Sequence, residues 1–547
     1  MKIALAQFNP IVGDIRGNVA RMSEFIDRAK AAWADLVVFG ELSVVGYPPR
    51  DLLRKDHFVS DSLAGVEELA RRCTGITALV GFVRATPDST GRPLQNTAAV
   101  LANGRVESIH VKTLLPTYDV FDETRYFEPG ERPGCIEING RRIGLSICED
   151  LWDADALGRK LYARDPIAML AADGAEMIIN MSASPYEQGK AKKREELFTR
   201  QGLNFRLPIL YVNQVGGNDE LVFDGTSCAV DPNGKVIARA KGFQEDLLEV
   251  DPTGPPQRIE KLDGEIERLS AALKLGLKDY VRKCGFSSVV LGSSGGIDSA
   301  VVATLAADAI GPENVYSLAM PSRYSSDHSL TDAELLARNL GIHHQVIGID
   351  PIHSAYGASL EDLLTGGNSD IADENIQARI RGALIMAVSN AFGRLPLATG
   401  NKSELSTGYC TLYGDMCGGL APIGDVLKTL VYELAEHLNA ETGSDRIPRA
   451  IITKAPSAEL KPDQVDQDKL PPYPLLDEVI SRYIEGDRTV RQIIDEGFAP
   501  DVVNSAARMV DANEYKRRQA APVIKVTTRA FGTGRRMPIA QRYAQGW

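Results

Sequence analysis

The run Leu291-Gly-Ser-Ser-Gly-Gly-Ile-Asp-Ser-Ala300 carries the residue types that hold an anion. The apolar residues 288–291 before it read as a buried strand, and residues 300–309 after it read as a helix. A strand that stops at Ser-Ser-Gly-Gly and turns into a helix gathers backbone N–H groups at a helix N-terminus, where negative charge is stabilised. Gly295 and Gly296 let the backbone approach a phosphate, and Ser294 and Ser299 add hydroxyl donors. Gly292, Ser293 and Ile297 complete the candidate binding stretch. Asp298 is the odd member, because a carboxylate beside phosphates is repulsive unless a cation lies between them. That combination points to a Mg²⁺–nucleotide site. No Lys-Ser/Thr pair follows the glycines, so this is not a Walker A loop.

The first half offers a different chemistry. Glu41 ends an apolar strand pattern, Lys112 follows residues 106–111, and Cys148 ends residues 143–147. A thiol needs a base to become a useful nucleophile, and the acyl intermediate it forms needs a cation or donor for its oxyanion. Glu41 can serve as the base and Lys112 as the stabiliser. Taken singly, each has a plainer explanation: a core cysteine, a turn glutamate, a solvated lysine.

These groups need a scaffold of more than one domain, which 547 residues supply. The Pro/Gly-rich segment from Asp251 to Gln257 can continue neither helix nor strand, so residues 1–250 and 263–547 read as two domains joined by a linker at 251–262. Before the linker, Asn103-Gly104, Asn139-Gly140 and Pro232-Asn-Gly234 mark hairpins, with helices over residues 18–34 and 187–205. After it, strands at 289–291, 315–319, 345–349 and 395–398 alternate with helices around 300–309, 330–340 and 372–391. That alternation predicts a doubly wound parallel sheet with its ligands at the C-terminal strand ends, where the Gly-rich run lies.

Composition bounds the function. A net charge of -12 argues against a nucleic-acid surface, and no apolar stretch reaches the ~20 residues of a membrane span. Seven cysteines without CxxC pairs, and an N-terminus that enters a strand pattern directly, predict a cytoplasmic enzyme. Arg379 and Arg381 read as solvated helix charges and the His343-His344 pair as a strand-edge feature.

Longer words then narrow the chemistry. The segments around Glu41 (Gly40 to Pro49), Lys112 (Lys112 to Pro116) and Cys148 (Ser146 to Trp152) resemble the three catalytic blocks of the nitrilase, or carbon–nitrogen hydrolase, superfamily. The resemblance implies an αββα sandwich and amide hydrolysis through a thioester on Cys148, with Glu123 as a supporting second glutamate. Ser-Gly-Gly-x-Asp-Ser resembles the pyrophosphate loop of ATP pyrophosphatases. The blocks at Asp373–Arg381, Ala398–Ser406, Tyr409–Asp415 and Pro422–Lys428 resemble the NAD⁺ synthetase family.

The family resemblance implies a glutaminase coupled to an amidating ligase. Its substrates would be L-glutamine, ATP and deamido-NAD⁺, with Mg²⁺ accompanying ATP, ammonia passing between the sites, and a homo-oligomer of dimer size or larger. It also implies roles by position: glutamine contacts at Tyr118, Ser184 and Lys190; ATP contacts at the 292–299 loop, Thr399, Lys428 and Ser457; contacts to deamido-NAD⁺ at Asn375, Glu404, Asp415 and Lys516; and Mg²⁺ ligation by Asp298 and Glu404. An amidating ATP pyrophosphatase acting on another nucleotide, similar to the GMP synthetases, is the alternative.

Overall fold

The computed structural model describes residues 1–543 apart from 88, 89, 366, 368, 458, 462 and 463. It divides into two compact units, Met1–Asp263 and Gly264–Trp547.

The first unit is an αββα sandwich, and the alternation of its strands shows why. Ile3 and Leu5 of the strand Ile3–Gln7 pack with Leu36, Val38, Ile143, Leu145 and Ile179 between the two sheets. Ala4 and Ala6 face the other way, onto Met22, Phe25 and Ile26 of the helix Ile15–Ala31. A strand buried on both faces loses the polar alternation of a surface strand. One six-stranded sheet runs in the order Asp246–Val250, Ile3–Gln7, Leu36–Val38, Thr77–Ala85, Leu94–Ala102, Arg105–Val111. The other runs Val236–Arg239, Cys228–Val230, Ile209–Asn213, Met177–Ser182, Arg141–Ile147, Gly134–Ile138. Helix Lys190–Phe205 supplies Leu197 and Phe198 to a third apolar layer against Ile178, Ile209 and Tyr211. The three Gly-containing turns named above all join neighbouring antiparallel strands.

In the second unit four parallel strands lie in the order His343–Val346, Val315–Ala319, Val289–Gly292, Leu395–Leu397. Counted along the unit this order is 3-2-1-4, so the chain winds outward in both directions from its first strand, as a doubly wound sheet does. Val290, Leu318 and Met320 pack against Ile380 and Ile385 of the helix Ser369–Phe392. A separate apolar cluster centred on Leu476, Ile480, Ile493 and Val503 is built from short helices late in the chain.

Several boundaries differ from the sequence reading. The third strand of this unit begins at His343 rather than residue 345 and stops at Val346. Beyond it the backbone still bonds Ala319 and Pro321 through Ile347 and Ile349, but the regular ladder has ended. The first helix starts at Ile15, where the Asp14 side chain accepts the Gly17 N–H, and not at residue 18. Among the described residues no helix is long and apolar enough to cross a membrane.

Candidate active sites

In the first unit the three candidate groups follow strands of both sheets, Leu36–Val38 and Arg105–Val111 in one and Arg141–Ile147 in the other. The strand Leu36–Val38 stops short of Glu41, which lies in the following turn and is 1% exposed. Gly81 makes room for that turn: a Cβ there would stand 2.4 Å from Gly40 O and from Leu42 N. Lys112 is the first residue after Arg105–Val111 and donates its N–H to Asn96 O at 2.9 Å. Cys148 follows Arg141–Ile147 and sits at φ +45°, a left-handed conformation that costs an ordinary side chain energy and recurs at functional turns. The Asp150 carboxylate ties the last two segments together, accepting N–H groups from Leu114 at 2.7 Å, Ile147 at 3.0 Å and Thr113 at 3.1 Å.

Lys112 Nζ donates to Glu41 Oε1 at 2.6 Å and to Glu123 at 2.8 and 2.9 Å, all three groups being buried. Glu41 also accepts from Asn96 Nδ2 at 2.7 Å and from the Ala183 N–H at 3.2 Å, and Glu123 from the Tyr47 hydroxyl at 2.9 Å. Two carboxylates thus share one ammonium. Burial pushes the Glu123 carboxyl up to about 7, with Lys112 opposing and Glu41 reinforcing. Burial weakens the Lys112 charge, yet Glu123 and Glu41 outweigh it and hold the ammonium well above its ordinary value. The Cys148 thiol is pushed well up, first by burial and then by Glu41, with Lys112 opposing. It therefore rests protonated, and only a base that takes its proton makes it a nucleophile.

Beside it, Glu149 accepts hydrogen bonds from the Tyr118 hydroxyl at 2.9 Å and the Tyr162 hydroxyl at 2.9 Å. Lys190 lies with Nζ 5.8 Å from the Trp152 ring centre, and its charge acts on Glu149. Ser184 is buried, with its N–H on Asn213 Oδ1 at 2.8 Å. Tyr118 and Lys190 therefore gather around Glu149, while Ser184 is held by Asn213. Sequence reading passed over Glu149, Asp150 and Tyr47, although each lies inside a quoted block. Asn96, in the middle of a strand, gave no signal.

In the second unit a cavity of about 510 Å³ opens at the C-terminal ends of the parallel strands. Every candidate named for this half lines it except Gly295. Gly295 stands behind the loop at φ +73°, where a Cβ would be 2.3 Å from Ser329 O, so glycine is required twice over. The loop is self-braced: the Ser294 N–H donates to Ser299 Oγ at 3.3 Å, the Gly296 N–H to Ser294 Oγ at 3.2 Å, and Ser299 Oγ to Gly296 O at 3.0 Å.

Asp298 accepts from Asn401 Nδ2 at 2.9 Å and pairs with Lys428 Nζ, which lies 4.0 Å from Glu404 Oε1. Burial, then the Asp298 charge, pushes the Glu404 carboxyl up to about 8. Two half-buried carboxylates flanking one ammonium, in a cavity with hydroxyl and N–H donors, fit a hard divalent cation that takes its remaining ligands from phosphate and water. Among the described residues no three His, Cys, Asp or Glu side chains converge on one metal position.

The polar heads of three further candidates hold the segment from Gly408 to Asp415. Asn375 Oδ1 accepts from Thr411 Oγ1 at 2.8 Å, and Asp415 accepts the Thr411 N–H at 2.6 Å. Lys516 Nζ donates to Gly408 O at 2.7 Å and Cys410 O at 2.8 Å. Ser457 Oγ donates to Gln464 O, and Thr399 follows the strand Leu395–Leu397 at the cavity wall.

One reading of a solvated charge needs correction. Arg381 lines the cavity, donates from Nε to Met320 O at 2.9 Å, and is pushed below its ordinary pKa by burial. The helix turns it inward, whereas Arg379 stays exposed. Lys402, adjacent to a quoted glycine–asparagine pair, is fully buried among Asp425, Glu485 and Thr527 and was not singled out.

Residues 2–252 match the carbon-nitrogen hydrolase family, and residues 269–520 match the NAD synthase family. The glutamine-dependent NAD(+) synthetase of Synechocystis sp. is 47% identical to this chain over 99% of each. That of Thermotoga maritima is 41% identical over 100% of this chain and 99% of its own. Among solved structures, the glutamine-dependent NAD+ synthetase from Acinetobacter baumannii in complex with ADP is 39% identical, with a TM-score of 0.79 over 98% of both chains.

Proposed function

From the premise that this chain belongs to the glutamine-dependent NAD⁺ synthetases, we propose that it amidates deamido-NAD⁺ to NAD⁺ with ATP, using ammonia taken from L-glutamine. AMP, pyrophosphate and glutamate are the other products. Residues 1–250 form the glutaminase, 251–262 the linker and 263–547 the synthetase. Deamido-NAD⁺ is the acceptor rather than another nucleotide because the relatives match over nearly the full length of both chains. A cytoplasmic location and a homo-oligomer complete the reading.

In the first unit Glu41 takes the Cys148 proton as the sulfur attacks the glutamine side-chain carbonyl. Lys112 offsets the negative oxygen of the tetrahedral adduct. Glu41 returns the proton to the departing nitrogen, ammonia leaves, and a thioester remains on Cys148. Water, deprotonated by Glu41, then releases glutamate. Glu123 keeps Lys112 charged and in place, while Tyr118, Ser184 and Lys190 position glutamine. The buried Glu41–Lys112–Glu123 triad beside a protonated thiol is the observation that carries this half.

In the second unit the nicotinate carboxylate attacks the α-phosphate of ATP and pyrophosphate departs; ammonia then attacks the adenylated carbonyl and AMP leaves. The N–H groups and hydroxyls of residues 292–299 hold phosphate oxygens. Lys428 offsets their charge, and Thr399 and Ser457 orient the nucleotide. Asn375, Asp415, Lys516 and Glu404 border the dinucleotide. Asp298 and Glu404 would hold Mg²⁺, which when bound supplies positive charge to the polyphosphate. A single assay tests the whole reading: deamido-NAD⁺, ATP and Mg²⁺ supplied with either glutamine or ammonium, with NAD⁺ measured. No NAD⁺ from ammonium refutes the second half; NAD⁺ from ammonium but none from glutamine refutes the first.

A further inference from the structure

We propose that Asp466 serves the cation site of the second unit from its outer sphere, accepting a hydrogen bond from a water carried by a Mg²⁺ ion whose direct carboxylate ligands are Asp298 and Glu404. The inference rests on reading those two residues as ligands. Asp466 lines the same cavity and is only 3% exposed. Its Oδ2 is fixed by the Tyr473 hydroxyl at 2.8 Å, while its Oδ1 is buried and accepts no well-aligned hydrogen bond among the described residues. The Tyr409 hydroxyl is a second hydrogen-bonding neighbour that favours the ionised carboxyl beside Tyr473, and the charges of Lys428 and Asp298 both reach it.

A buried carboxylate oxygen left without a donor is costly, so the position implies a donor brought by a ligand. Direct ligation does not fit, because no three acidic side chains converge on one point among the described residues. Hydrated Mg²⁺ does fit. It keeps several of its waters, whose hydrogens point outward and are polarised by the ion, and an acceptor one water away from the metal is the usual outer-shell partner.

The test uses the full chain, Mn²⁺ as a paramagnetic probe and a non-hydrolysable ATP analogue. Binding is read by electron paramagnetic resonance, and bound waters are counted from the line broadening in ¹⁷O-water. Asp466→Asn is expected to weaken Mn²⁺ binding about 10- to 100-fold while the count of bound waters stays unchanged. Asp298→Asn is run beside it. If Asp298→Asn weakens the ion and Asp466→Asn does not, the role of Asp466 is overturned while the cation site stands. If neither weakens it, the cation site itself falls. A water count that rises by one in Asp466→Asn makes Asp466 a direct ligand and overturns the outer-sphere assignment. Tyr473→Phe, which releases Oδ2 but keeps the carboxylate, is expected to weaken Mn²⁺ several-fold. Should Asp466→Asn not fold, unchanged binding in Tyr473→Phe overturns the proposal.

Discussion

Replacing Lys112 by Met removes the ammonium that two buried carboxylates share. The methyl-thioether chain fills most of the same space, so the loss is electrostatic and not a cavity. Breaking a buried pair by deleting one partner costs roughly 3–5 kcal/mol, because a charge remains without compensation. Here the remaining carboxylates have an escape: they bind protons. In the native protein Glu123 already sits near 7 with Lys112 opposing its rise. Without Lys112 its pKa climbs further. A carboxyl whose folded value lies above its unfolded value contributes stability fully present below the unfolded pKa and lost as pH rises through the folded one.

Native stability therefore stops falling on account of Glu123 above about pH 7. The variant keeps losing about 1.4 kcal/mol per pH unit for each carboxyl that must ionise. The stability gap should be small at pH 6 and approach 3 kcal/mol or more at pH 8.5. Urea unfolding followed by tryptophan fluorescence reads it, since Trp33 and Trp152 both lie in the first unit. Glutamine-dependent synthesis should vanish at every pH, with ammonium-dependent synthesis retained at pH 6. A gap that does not change with pH, or surviving glutamine hydrolysis, would refute the shared-ammonium account.

Cys148→Ala should abolish glutamine-dependent NAD⁺ formation and keep the ammonium-dependent reaction, at a stability cost of about 1 kcal/mol; ammonia-free assays check it. Asp298→Asn should abolish synthesis from both nitrogen sources, because the change removes one of the two carboxylates that flank Lys428 and that would hold Mg²⁺; full activity with ammonium would remove it from the site. Gly295→Ala should impair ATP binding in equilibrium dialysis and leave glutaminase turnover intact, since the added Cβ meets Ser329 backbone in a left-handed residue. Lys402→Met should destabilise the second unit by roughly 3–5 kcal/mol in denaturant titration, leaving Asp425 and Glu485 without their shared cation.

Much of the molecule could be read from residues alone. Strand Ile3–Gln7 carries no polar residue until its last position, and the burial of both its faces follows from that pattern. The Gly-rich run announced its strand, loop and helix because glycine pairs and a helix-start aspartate have strong local causes. Glu41, Lys112 and Cys148 were legible as blocks, but their union was not, since 71 residues separate the Lys112–Glu41 pair and only the sheet closes that distance. Asn96 and Asp466 stayed hidden for the same reason. An asparagine in a strand and an aspartate opening a short helical turn have ordinary local roles, and only tertiary packing gives them others. Arg381 was misjudged because helical periodicity places charges on faces without saying which face meets a cavity.

The burial of Cys148 also bears on chemical labelling. Seven cysteines are present, and none is in a disulfide. Burial pushes Cys73 up to about 11 and Cys228 and Cys410 up to about 12, and raises Cys135, Cys417 and Cys148 as well. Cys284, at the end of helix Glu265–Lys283, is exposed. A general maleimide or iodoacetamide at neutral pH is thus directed to Cys284, which does not line its own unit's cavity. On the proposed mechanism an electrophile shaped like glutamine is directed to Cys148, whose thiol feels the Glu41 charge. One chain therefore offers two orthogonal attachment points, so a reporter dye can be installed on one domain while a covalent inhibitor occupies the other.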